Sequence, residues 1–340
     1  MDRIPVSPPH IPGIKNLENR PLLSVMIPVY NCARFLPDVL KSVLCQDMGK
    51  DVMQIEVVDD ASTDNDIKAL VDTLGNGRVT YYRQIENVGS LRNFETCINR
   101  SQGKLVHILH GDDRVKPGFY ERIISLFKHF PDAGAAFTGY SLIHEDGKWS
   151  HDYERLACKE GILKDWLVRI DELQRIQYAA MVVRRDVYEK LGGFYGMNYG
   201  EDWEMWVRIA QHYPVVYTPK VLAEYRMRKG SISSVLASSG ESFPCLLNAH
   251  SIIQKQIIEA NISEVAKKRA INRGKQHCAL YKINLAYGTW AQTHDIKLAS
   301  KSMAVALELN NSLTVYYHIL KFFSKAALDY VLQGFKLKND

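Results

Sequence analysis

The sequence predicts an α/β fold, a mixed and mostly parallel sheet flanked by helices, with a helical appendage at the C-terminal end. Three observations carry this expectation. Strand and helix patterns alternate from residue 22 to residue 130. The first strand, LLSVMIPVY, is one continuous apolar run, as in strands buried on both faces of a parallel sheet. Beyond about Leu236 strand patterns fade and amphipathic helical ones take over.

After the first strand, Phe35, Leu36, Val39, Leu40, Val43 and Leu44 recur at helical spacing. QIEVV reads as a second strand, IKALVDTL as a short helix and VTYYR as a third strand. A helix from Ser90 to Ser101 follows, stopping by Gly103. KLVHIL then runs into Gly111-Asp112-Asp113, and FYERIISLFKHF stops before Pro131. Between 132 and 225, the strands AAFTGYSLI, YAAMVVRR and VVYTP mix with helices, notably EDWEMWVRIAQHY. The predicted organisation is an N-terminal arm or linker over 1–20, an α/β domain over 21–235 and a helical region over 236–340. The boundary falls in the Ser-rich SISSVLASSGES.

In open α/β sheets, ligands bind beyond the carboxyl ends of the strands. Here those ends carry Tyr30 and Asn31, Asp59 and Asp60, and Asp112 and Asp113, so all are expected on one rim. Adjacent carboxylates at the end of a buried strand repel and lose solvation, and a divalent cation bound by oxygen ligands would compensate them. The alternative is an ordinary surface turn. Asp60 suits the imide N–H of a uracil base, with Tyr30 as a stacking surface. Equally, the DDASTD stretch could merely turn the chain and cap the next helix. ENVGSLRN supplies Asn87, Gly89, Arg92 and Asn93. Gly89 lets the backbone turn or approach a ligand closely, and Arg92 could meet a phosphate, pair with one of the aspartates, or make a merely structural ion pair with a carboxylate. Glu201 and Asp202 open a helix after a glycine-rich loop. First-turn capping explains them, and so does a carboxylate placed to take an alcohol proton. Trp203 and Tyr178, with Trp149 and Trp166, are candidates for the acceptor side.

Composition excludes several classes. A net charge of +5 over 340 residues is too mild for a nucleic-acid binder. Six scattered cysteines without a CxxC pair fit a reducing compartment. The N-terminus has no apolar signal region, and LTVYYHILKFFSKAALDYVL is interrupted by charge, so a cytoplasmic protein is expected. Basic residues exceed acidic ones by about two to one from Ser251 onward. That excess permits peripheral attachment to the inner face of a membrane, while the amphipathic helices permit intramolecular packing or a homodimer. No GxGxxG or other glycine-rich phosphate loop follows the first strand, which argues against a dinucleotide oxidoreductase or a nucleotidyltransferase.

SVMIPVYN, VVDDASTD, ENVGSLRN, GKLVHILHGDD, the Gly-Gly-Phe at 192–194 and GEDWEMWVRIA stand in the order seen in family 2 inverting glycosyltransferases of the GT-A fold. The chain resembles that family from roughly Leu22 to Ser234. The resemblance implies a sugar moved from a nucleotide diphosphate, UDP favoured, to a hydroxyl of a carbohydrate, lipid-linked or protein-linked acceptor. It implies that Pro28, Tyr30 and Asp60 hold the base, with Asn31, Asn87, Gly89, Arg92 and Asp112 around the nucleotide. Asp112 and Asp113 match the metal-binding region for Mn²⁺ or Mg²⁺, and Asp202 matches the catalytic base. Glu201 would stand on the acceptor side. Two departures mark this chain. His110 replaces the usual first aspartate of the metal motif, leaving metal binding to the Asp pair. Arg228 stands where a histidine ligand is often found, as a candidate to neutralise the diphosphate or serve in a lid. A non-catalytic nucleotide-sugar-binding or assembly subunit is the alternative these departures keep open.

Overall fold

The computed structural model describes residues 2–15 and 18–336. In chain order the elements are β1 (Leu23–Val29), α1 (Leu36–Leu44), β2 (Met53–Asp59), α2 (Ile67–Gly75), β3 (Thr80–Arg83), α3 (Ser90–Arg100), β4 (Leu105–Ile108) and β5 (Arg114–Val115). Then come α4 (Phe119–His129), β6 (Ala135–Ile143), β7 (Trp149–Asp152), β8 (Gly161–Ile162), α5 (Trp166–Glu172), β9 (Met181–Arg184), α6 (Arg185–Leu191), α7 (Glu201–His212) and β10 (Val215–Arg226). The helices α8 (Ile232–Ser239), α9 (Ser242–Glu259), α10 (Glu264–Thr293), α11 (Ile296–Leu309) and α12 (Leu313–Lys336) complete the chain.

One sheet runs in the order β3-β2-β1-β4-β9-β6-β10-β5, with β7 on β6 and β8 on β10. The β3-β2-β1-β4 half is parallel throughout, and β6 and β10 are parallel to each other. β9 is inserted antiparallel to both β4 and β6. All seven β1 side chains are buried. A buried Val, Leu, Ile or Met side chain contributes about 1.5–3 kcal/mol, so β1 anchors the sheet as its apolar run requires.

The chain divides into two compact units. One comprises the residues up to Ile170 together with Gln174–Gly240, and the other Asp171–Leu173 together with Glu241 onward. Within the second, α10 turns Ala270, Gly274, Cys278, Ile283, Ala286 and Trp290 inward at helical spacing. The Phe322 ring of α12 meets Tyr287 and Trp290 edge-on at 4.8 and 5.8 Å. No helix among the described residues is long and apolar enough to cross a membrane.

Two segments hold structure that the sequence left open. The Ser-rich stretch forms α8, with the Ser231 hydroxyl accepting from Ser234 N at its N-cap. The described part of the N-terminal arm is packed. Ile11 is fully buried, Pro9 O accepts from Gly193 N at 2.9 Å, and Pro5 O accepts from Gly196 N at 2.8 Å.

Candidate active site

The end of β1 organises the site. Val29 O accepts from Asp60 N on the β2 side at 2.8 Å, and Pro28 O accepts from Gly111 N on the β4 side at 3.0 Å. A Cβ at Gly111 would stand 2.8 Å from Val29 Cγ2 and 2.9 Å from Cys32 Sγ. Only glycine lets the Asp112–Asp113 turn lie this close to β1. Asn31, in the left-handed region at φ 48°, stitches the strand ends together. Its N–H donates to Ser62 Oγ, and its Oδ1 accepts from Thr63 N at 2.8 Å. Tyr30 stands beside it, 47% exposed.

The two aspartates after β2 have different surroundings. Asp59 is fully buried and bound by Tyr81 Oη, Arg83 and Ser62 N, as a structural acid would be. Asp60 reaches the loop before α3. Its Oδ1 accepts from Val88 N at 2.8 Å, and its Oδ2 accepts from Asn87 Nδ2 and Gly89 N at 2.8 and 3.0 Å. Gly89 adopts φ 91°, which the turn into α3 demands. Arg92 makes the structural ion pair that was the alternative to a phosphate contact, with Glu95 one helical turn along, and its Nε donates to the Asp2 carbonyl.

On the β4 side, one ligand atom from each of His110, Asp112 and Asp113 falls in a cluster within 4.8 Å. His110 thus stands with the Asp pair as a third possible ligand. Its ring stacks on Phe94 and lies 4.4 Å from that of Tyr178. Burial pushes His110 down to about 4, leaving a neutral imidazole, and its Nε2 is buried without a hydrogen-bond partner. Asp113 is pushed well above its ordinary value by burial and then by Asp112. Two oxygen donors and a neutral nitrogen donor therefore fit a divalent cation such as Mn²⁺.

The end of β10 and the residues just after it lock this cluster, and of its two arginines sequence reasoning missed Arg226. Arg226 N donates to Asp113 Oδ1 at 2.9 Å, its Nε to Asp112 O at 2.7 Å, and its Nη2 to Asp38 Oδ2 at 2.9 Å. Arg228 Nε donates to Asp112 Oδ2 at 2.5 Å. Both guanidinium groups lie over the Phe35 ring, at 5.0 and 5.6 Å. The signal that could have found Arg226 is the i, i+2 spacing in Tyr-Arg-Met-Arg, which puts both arginines on one side of an extended segment.

Glu201 and Asp202 open α7 behind Gly200, at φ 89°, and both are buried rather than capping an exposed end. The Tyr178 hydroxyl donates to Glu201 Oε1 at 3.2 Å, so the ring beside His110 leads directly to this pair. Gln174 Nε2 donates to Asp202 Oδ2, and Trp203 N donates to Asp202 Oδ1 at 2.7 Å. Burial, then the neighbouring Glu201 charge, pushes Asp202 well above the usual carboxylate range, while burial pushes Glu201 up to about 7. Burial, then the charge of Asp113, raises the Tyr225 phenol, with Asp112 and Asp202 adding to the shift.

Several acceptor-side expectations are corrected. Trp203 is 1% exposed, and its indole N–H donates to Ile170 O. Tyr178 and Trp166 are buried among aromatic rings, so none of the three presents a face to solvent. The helical period turns Trp203 toward the core. Trp149 alone of that group is open, at 62%.

Residues 24–192 match the model of glycosyl transferase family 2. The chain is 31% identical over 233 residues to TuaG of Bacillus subtilis, a glycosyltransferase whose name assigns it to teichuronic acid biosynthesis. That match spans 63% of this chain and 82% of TuaG. An uncharacterised Mycobacterium tuberculosis protein is 30% identical over 61% of this chain and 67% of its own length. Among solved structures, S. aureus TarS 1–349 in complex with UDP-GlcNAc superposes with a TM-score of 0.65 at 15% identity, over 84% of this chain and 79% of that one. The mannosyltransferase PcManGT from Pyrobaculum calidifontis, in complex with GDP-Man and Mn²⁺, gives 0.57 at 18%, over 95% and 84%. A strand order with acids on the rim, and matches of this extent, define a glycosyltransferase of the GT-A fold. The chain belongs to glycosyltransferase family 2.

Proposed function

We propose that the protein inverts configuration while moving a sugar from a nucleoside diphosphate, UDP in first place, to an acceptor hydroxyl in the assembly of a surface polysaccharide. The acceptor oxygen attacks the anomeric carbon, the bond from that carbon to the diphosphate oxygen breaks with its electron pair leaving on the diphosphate, and the hydroxyl proton passes to Asp202. The observation that carries this reading is Asp202 itself. It is a buried carboxylate with a raised proton affinity, held from two sides by Gln174 and the Trp203 N–H.

Tyr30 would stack on the base, and Asp60 would accept its imide N–H through the lone pair left on Oδ1. Asn31, Asn87 and Gly89 would shape that end of the pocket. His110, Asp112 and Asp113 would hold Mn²⁺ or Mg²⁺, which supplies positive charge to the departing diphosphate. The imidazole favours Mn²⁺. Arg228 would add a second cation there. Glu201 would act beneath Asp202 rather than on the acceptor.

TuaG's name and the TarS complex with UDP-GlcNAc support the pathway class and the UDP preference. The exposed α12 side chains Leu313, Tyr316, Tyr317 and Leu320, with Lys321 and Lys325 among them, support contact with the cytoplasmic face of an anionic membrane. Co-flotation with anionic but not neutral vesicles tests that contact. The catalytic reading is tested by sugar transfer from UDP-sugars with Mn²⁺, with and without chelator. UDP binding with no transfer to any offered acceptor and no donor hydrolysis would favour a nucleotide-binding subunit instead.

A further inference from the structure

The N-terminal arm bridges two loops that flank the site. At one end Asp2 O accepts from Arg92 Nε, and Arg3 donates to Asn87 Oδ1 in the loop that clamps Asp60. At the other, Pro5 and Pro9 carbonyls accept from Gly196 and Gly193, in the segment between α6 and α7 that leads to Glu201 and Asp202. A Cβ at Gly192 would stand 2.7 Å from Pro8 Cβ, and one at Gly193 2.9 Å from Pro9 Cγ. The Gly-Gly pair is thus matched to the arm lying on it. Prolines 5, 8, 9 and 12 fix much of the arm's backbone in advance, so ordering it costs little entropy.

Packing accounts for Ile11 and Pro5, which are buried, but not for Arg3, which is exposed. A Cβ on Gly89 would meet Arg3 Nε at 3.1 Å, so the guanidinium lies against the loop that holds both Asp60 oxygens. Its charge offsets part of the cost of burying Asp60. Its bond to Asn87 Oδ1 fixes the amide so that Nδ2 faces Asp60. One of five guanidinium donors makes that bond. Arg92, on the same loop-to-helix segment, is bonded instead to Glu95 and to the arm.

We propose that the arm is a working part of the donor site and that Arg3 reads the nucleotide base. This rests on the donor reading given above. A carboxylate acceptor beside a guanidinium donor complements an imide edge, an N–H flanked by a carbonyl, as uracil presents. Cytosine presents an acceptor and an amino group in those places and mismatches both.

The test is calorimetric titration of the full chain with UDP and CDP in the presence of Mn²⁺, comparing wild type, Arg3→Met and Arg3→Lys. Met keeps the aliphatic stem, and melting temperatures without nucleotide verify the fold. Arg3→Met is expected to weaken UDP about tenfold and to narrow the UDP-to-CDP preference, with Arg3→Lys intermediate and the melting temperature unchanged. UDP affinity within twofold of wild type overturns the proposal. So does an equal loss for UDP and CDP, which would make Arg3 a loop support only. Wild-type protein that binds no nucleoside diphosphate removes the donor reading itself, an outcome distinct from a silent Arg3 in a protein that does bind.

Discussion

Arg228 Nε lies 2.5 Å from Asp112 Oδ2, so a carboxylate expected to hold a cation already has a cationic partner in the chain. On the proposed reading, Arg228 meets part of the negative charge of an incoming diphosphate. Arg228→Ala is expected to lower turnover about tenfold or more and to make the remaining rate depend more steeply on Mn²⁺. Initial rates across a Mn²⁺ titration measure both effects. Undiminished turnover would remove Arg228 from any role at the diphosphate.

Asp202→Asn keeps the size of the side chain but not its basicity, and it puts an amide donor in place of one of the two oxygens that accept from Gln174 and Trp203. Turnover is expected to fall by roughly 10²-fold or more while UDP affinity stays as it was. Gln174→Leu should act on the same step more mildly, since it frees Asp202 Oδ2 without touching the carboxylate. Its KM should hold while kcat falls, and Gln174→Asn should recover none of the loss because its amide is too short to reach. Kinetics with saturating donor separate these cases, and normal turnover in Asp202→Asn would move the base elsewhere.

What was legible beforehand follows from how local each signal is. The seven-residue apolar run of β1, the helical spacing after Phe35, and acids directly following strands are read within a few positions, and each recurs in the structure. Gly111 was quoted as part of a motif, yet its reason, contact with Val29 and Cys32, needs the folded sheet. Arg226 was missed because its partners Asp112 and Asp113 are more than a hundred positions away. The arm read as a linker because proline-rich segments carry no periodicity, and its carbonyls find N–H partners only once the segment between α6 and α7 is built. Trp203 was an acceptor-side candidate because it adjoins Asp202, although adjacent helical positions point about 100° apart.

The Glu201–Asp202 pair sets a pH dependence. Burial, and for Asp202 also the charge of Glu201, raises the proton affinity of both carboxyls, so the carboxylate able to accept the acceptor's proton grows as pH rises. Turnover should climb as pH rises. Glu201→Gln removes the neighbouring charge, lets Asp202 ionise earlier, and should shift the rising limb toward acid. The pH profile of kcat measures this. A shift toward alkali would mean that Glu201 is not the charge felt by Asp202.

Asp171 offers a stability test independent of the active site. It is fully buried, and neither carboxylate oxygen has a hydrogen-bond partner. Burial, then the charge of Glu172, pushes it up to about 7 from an ordinary 3.8. Between those values the unfolded chain releases this proton while the folded one keeps it, so rising pH costs the folded state until both are ionised. The full penalty is present above neutrality and amounts to roughly 2–4 kcal/mol. Asp171→Asn removes the ionisation. Its melting temperature should exceed that of wild type at pH 8, and the difference should shrink as pH falls toward 4. Thermal unfolding at a series of pH values checks both the sign and the window, and a gap that stays constant with pH would mean that Asp171 finds a partner for its charge in the folded protein.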